Sequence, residues 1–291
     1  MAATSTSLQG RPVPLPARPE IVETTSLQRI VPGHGKSIVV PWGVRKSLGP
    51  VFLALLWWYA TASGAVSEDF LPGPAALWSA LQELYGSGEL GEALKLSLAR
   101  ASAGFGFGFT VGVGLALVSG LLRIGEDLVD APMQMMRTLP WAGLVPLLII
   151  WLGIDETPKI TLVAFAVCFP LYVNTFAGIR NVDRNLIEAA KTLQFSRTAM
   201  IFEVVLPGAL PGLLVGLRYS LGSAWLALVF AETVNAQGGL GYLITHAREV
   251  YRVDIIILCL FIYALLGLSA DLIVRFLEKI LLSWRQGFEG E

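Results

Sequence analysis

The sequence is poor in charge, in histidine and in cysteine, and each shortage excludes something. Asp, Glu, Lys and Arg make up 15% of its 291 residues, where a soluble globular chain carries about 25%. The 21 basic and 22 acidic residues nearly cancel, so there is no broad basic face for nucleic acid. Cys168 and Cys259 both sit in apolar runs, which leaves no disulfide framework and no cysteine metal cluster. His34 and His246 are far apart in sequence. No metal site and no resident cofactor is expected.

What is present is apolar: 54% of residues are hydrophobic, which points into a bilayer. Residues 1–46 are the exception, with Pro12, Pro14, Pro16, Pro19 and Pro32 and a Ser/Thr-rich start. Such a stretch buries too little to offset its ordering entropy and reads as a mobile tail. No cleaved export signal is expected, because the first long apolar run begins only near Pro50. Residues 287–291 read as a short C-terminal tail.

Between the tails, residues 47–286 read as a transmembrane domain. Ser47–Ser67, Ala101–Leu122, Thr138–Ile154, Ile160–Ile179 and Ile255–Ala270 are free of charge, and Val204–Ala231 is broken only by Arg218. A helix rises about 1.5 Å per residue, so about 20 residues cross a 30 Å hydrocarbon core. The expectation is an all-α integral membrane protein of about six transmembrane helices. With the N-terminus inside, the tail's basic residues join Arg123, Arg180, Arg184, Lys191, Arg197, Arg275, Lys279 and Arg285 on one side. Only Lys95, Arg100, Lys159, Arg248 and Arg252 fall on the other. That asymmetry places both termini in the cytoplasm.

Motifs for chemistry fail on inspection. Gly33-His34-Gly35-Lys36-Ser37 ends like a phosphate-binding loop, but Ile30 stands where its first glycine belongs. The chain is not expected to hydrolyse ATP. Gly104, Gly108 and Gly112 recur every four residues, which places them on one helix face for close helix packing. No H-E-x-x-H or serine–histidine arrangement supports a membrane enzyme.

Arg137, Arg218 and Glu232 are candidates for a translocation path, because charge at membrane depth faces protein or water. Arg218 reads either as lining an anion path or as a structural partner for a carbonyl or carboxylate. Glu232 lies 14 residues beyond it, about 21 Å along a helix, too far to pair, and is expected at the outer mouth. Asp271 is expected to pair with Arg275 one turn on.

The segment 180–205 is too long for a simple connection and is amphipathic. A short helix is expected from Glu188, with Leu186, Ile187, Ala190 and Leu193 as its apolar stripe. Ser196 is expected to cap a second, which Pro207 and Pro211 separate from the fifth span. Glu188-Ala189-Ala190, three residues, Gln194, nine residues, Val204, one residue, Leu206-Pro207 resembles the EAA loop of ATP-binding-cassette (ABC) importer permeases. That pattern runs E-A-A, three residues, G, nine residues, I, one residue, L-P. Gln194 replaces the glycine and Val204 the isoleucine; a left-handed turn there costs a non-glycine about 1–2 kcal/mol. Phe70-Leu71-Pro72-Gly73-Pro74, Arg137-Thr138-Leu139-Pro140, Trp151–Glu156, Phe169–Thr175 and Gly178–Asp183 resemble the nitrate/sulfonate/taurine branch, and the last three most resemble aliphatic sulfonate permeases.

The resemblance implies a type I importer permease in a bacterial inner membrane. Its partners would be a second permease copy, an ABC ATPase subunit dimer, a periplasmic substrate-binding protein and membrane lipid. ATP and magnesium would sit on the ATPase. Glu188, Ala189, Ala190, Gln194, Leu206 and Pro207 would couple to it. The cargo implied is an aliphatic sulfonate, with taurine or nitrate as alternatives. An ion-coupled secondary transporter is the rival outside the family, and it would need polar ion sites at the midplane.

Overall fold

The computed structural model describes residues 42–284. The loop-like Gly33–Ser37 stretch, the C-terminal tail and most of the N-terminal tail lie outside the described residues. By contact the chain divides into two units, 1–51 and 52–291; description of the first covers only the start of helix α1, Trp42–Ala62.

Apart from short turns, the described residues are helical. Helix α2 spans Pro74–Gly86 and α3 Glu89–Leu121. Then follow α4, Arg123–Met136, and α5, Trp141–Leu152. Helix α6 is Glu156–Arg180 and α7 Arg184–Thr192. The chain continues through α8, Arg197–Val234, α9, Leu240–Glu249, and α10, Val253–Leu281.

Four helices (α3, α6, α8 and α10) are long and apolar enough to cross a bilayer. The other two expected spans come out differently. The third is the pair α4–α5, bent by 88°. Pro140 has no amide hydrogen and restricts the residue before it, so the helix cannot run on through residues 137–140. The first is the shorter apolar stretch Leu48–Ala62 of α1.

Helix α6 lies between α3 and α8, and glycine sets both distances. A Cβ on Gly108 would stand 2.5 Å from the Ala164 carbonyl, and one on Gly112 2.6 Å from that of Cys168. On the other side a Cβ on Gly212 would meet the Asn174 carbonyl at 2.6 Å. The four-residue glycine repeat is therefore a packing face. A second apolar cluster joins α2, the start of α3, α9 and α10 through Ala80, Leu90, Leu240, Cys259 and Tyr263. Cys168 and Cys259 are buried free thiols.

Candidate functional site

The segment between α6 and α8 makes two tight reversals, each set by particular residues. Asp183 accepts a hydrogen bond from the Asn185 amide at 2.8 Å, which starts α7 one turn before Glu188. At its far end Gln194 adopts φ +59. The Phe195 amide donates to the Ala190 carbonyl and the Gln194 amide to that of Lys191, each at 3.0 Å. This is the left-handed stop that glycine normally makes. Helix α7 therefore ends at the position of the motif glycine, although a glutamine occupies it. Ser196 then accepts from the Ala199 amide at 3.2 Å and opens α8.

Pro207 and Pro211 do not divide that helix. Residues Ile201–Val205 form a π turn, and α8 continues from Arg197 through both prolines to Val234. A widened turn just ahead of Pro207 makes room for a ring that would clash with a regular α-helical turn. The reversals leave a protruding knob: Leu186, Leu193 and Phe202 are exposed, with Glu188 and Ala189 between them also exposed. Ala190 is buried beneath.

At the opposite end of the bundle sits a buried ion network. Glu232 is 1% exposed. It accepts hydrogen bonds from Arg100 Nη1 at 2.7 Å, Ser97 Oγ at 2.8 Å, the Gly241 amide at 2.9 Å and Tyr263 Oη at 3.1 Å. Arg100, 3% exposed, also donates to the Gly238 carbonyl and through Nε and Nη2 to Glu156, which Lys159 meets at 3.0 Å. Arg100 and Lys159, counted in the sequence among the outer basic residues, are both buried. Three helices, α3, α9 and α10, thus converge on the Glu232 carboxylate of α8. The signal for this was Glu232 itself, since a carboxylate at that depth needs a partner; only the identity of the partner was missing.

Arg218 is ion-paired to two carboxylates. Its Nη2 donates to Glu278 at 2.7 Å and its Nε lies 3.2 Å from Asp271, both on α10. Asp271 also pairs with Arg275 at 2.6 Å, as the four-residue spacing predicts. Near the network end, outside the long spans, Arg252 bonds Glu83 of α2 at 2.7 Å and Asp254 at 2.9 Å. That guanidinium holds the Glu83 carboxyl below its ordinary value of 4.5.

Arg137 is placed otherwise. It falls in the bend between α4 and α5 and lines a pocket of about 300 Å³ with Trp141, Phe169, Asn174 and Ser223.

Residues 108–282 match the family described as the binding-protein-dependent transport system inner membrane component. The chain is 43% identical over 250 residues to the putative aliphatic sulfonates transport permease protein SsuC of Escherichia coli (strain K12), covering 86% of this chain and 93% of that protein. It is 40% identical over 241 residues to the protein of the same name from Bacillus subtilis (strain 168), covering 83% and 87%. Among solved structures it resembles a chain in the crystal structure of an amino acid ABC transporter with histidines. The TM-score is 0.58 at 16% identity, over 68% of this chain and 97% of that one.

Proposed function

The chain belongs to the family of binding-protein-dependent transport system inner membrane components, and from that premise we propose that its cargo is an aliphatic sulfonate. It is the permease subunit of an ABC importer, a membrane-spanning protein that works with an ATPase and a substrate-binding partner. The sulfonate reading is supported by its likeness to two sulfonate permeases over most of their length.

Two copies assemble in the inner membrane with both termini in the cytoplasm. An ATPase dimer, carrying ATP and magnesium, binds below and hydrolyses ATP; a binding protein docks above. The observation that carries the coupling role is the knob of α7 and its rigid joint to α8. Leu186, Leu193 and Phe202 expose apolar surface in an otherwise polar turn, which suits insertion into a partner's cleft. Gln194 ends α7 and Ser196 opens α8 two residues later, and α8 runs on for 38 residues. Movement of the ATPase at Glu188, Ala189 and Ala190 is therefore passed through Leu206 and Pro207 to the membrane core.

The test is uptake of butanesulfonate into vesicles that hold the chain with its ATPase and binding protein. Uptake should require ATP, exceed that of taurine or nitrate, and be lost in Glu188→Lys with the membrane domain still folded. Uptake driven by a proton or sodium gradient without the ATPase would overturn the reading.

A further inference from the structure

We propose that Arg137, Asn174 and Ser223 form an anion subsite inside the permease that holds the charged head of the cargo in transit. The proposal rests on the importer reading above and deepens it, adding selection for a monovalent oxyanion to whatever the binding protein selects.

The pocket is placed for this. Phe169 lies at the middle of α6 with Asn174 between it and the helix end at Arg180, and Ser223 lies well inside α8. Arg137, exposed in this single chain, lines the pocket from the bend between α4 and α5. The volume of about 300 Å³ falls at the lower end of the range for small-molecule sites.

The chemistry of the lining is one-sided. An arginine at membrane depth needs a counter-charge, carbonyls or water. Arg100 and Arg218 each have two carboxylates; among the described residues Arg137 makes no ion pair. No acidic residue lines its pocket. The remaining polar groups are donors with capacity to spare. Asn174 spends one amide hydrogen on the Pro170 carbonyl at 2.8 Å and keeps the other. The Ser223 hydroxyl has no hydrogen-bond partner among the described residues. A guanidinium fork with two neutral donors matches a sulfonate's oxygens. Trp141 and Phe169 offer an apolar wall for its alkyl tail. One unpaired cation rather than a cluster keeps the hold weak enough for release.

The test measures butanesulfonate taken up per ATP hydrolysed by the whole importer in vesicles. Arg137→Gln should lower that ratio about tenfold and Ser223→Ala about threefold, sizes typical of one lost charged and one lost neutral hydrogen bond. Arg137→Lys, which keeps the charge, should restore part of the loss. An unchanged ratio in Arg137→Gln overturns the subsite. So does an equal fall of uptake and hydrolysis in Arg137→Gln and Arg137→Lys alike, which would make Arg137 a structural cation. Absence of ATP-dependent uptake by the unaltered assembly would instead remove the importer reading, and the subsite with it.

Discussion

Arg100 of α3 and Glu232 of α8 are 132 residues apart in sequence and 2.7 Å apart in space, with both side chains buried. Their ion pair ties together the start of α3, the end of α8, the start of α6 through Glu156, and α10 through Tyr263. It sits at the end of the bundle away from the knob and ties α8 to its neighbours there.

Removing one partner strands the other. Arg100→Met should destabilise the protein by about 3–5 kcal/mol, and the Arg100→Met/Glu232→Met pair by clearly less. Thermal unfolding in detergent, followed with a thiol-reactive dye, reads this directly because Cys168 and Cys259 are buried. A double variant no better than the single one would show that Ser97 and Tyr263, not the charge, set the cost.

Glycines on one helix separate cleanly into two kinds. Gly108→Leu puts carbon into the Ala164 carbonyl and should push α3 from α6, with a loss of about 1–3 kcal/mol or more. Gly106→Ala meets nothing within 4 Å and should gain about 0.5–1 kcal/mol from helix propensity. The same melting assay compares them; equal effects would remove the packing role of the four-residue repeat.

Gln194 carries left-handed backbone at φ +59. Gln194→Gly relieves about 1–2 kcal/mol of native strain but returns about 0.4–1 kcal/mol through the unfolded chain, so stability should stay equal or rise slightly. Gln194→Ile, branched at Cβ, should weaken the turn and with it ATP-driven uptake. Full uptake in the isoleucine variant would mean that the reversal tolerates loosening.

The Glu83–Arg252 pair gives a pH response with a defined sign. The folded carboxyl lies below 4.5, so the contact contributes fully above that value and is lost as pH falls through the folded one. Spin labels on α2 and beside residue 252 should show growing mobility below about pH 4.5. Glu83→Gln should abolish the change; an identical response in that variant would assign it to other carboxylates.

Much of the function was legible because it is written locally. The spacing from Glu188 to Pro207 lies within one stretch of chain, and Ser196 caps a helix by a contact three residues away, whereas the Asp183 cap that starts α7 ahead of Glu188 was not read. Asp271–Arg275 is likewise one turn of one helix. Arg137 could be marked as a candidate but not resolved, since its pocket is completed by α6 and α8. The π turn ahead of Pro207 was not legible, because a widened turn leaves no distinct spacing of apolar residues.

What the sequence determined by itself is the set of apolar runs, the segments that connect them and the family they belong to. Charge-free length and fixed spacing are properties of the chain that need no partner to be read. Tertiary structure decided which charges are spent and which remain. Arg218 reaches Asp271 and Glu278 on α10, Arg100 reaches Glu156 and Glu232, and Arg137 is left without a carboxylate among the described residues. Ion pairing at membrane depth acts over a few ångströms between helices distant in sequence, so only the packing of α3, α6, α8 and α10 could select the partners.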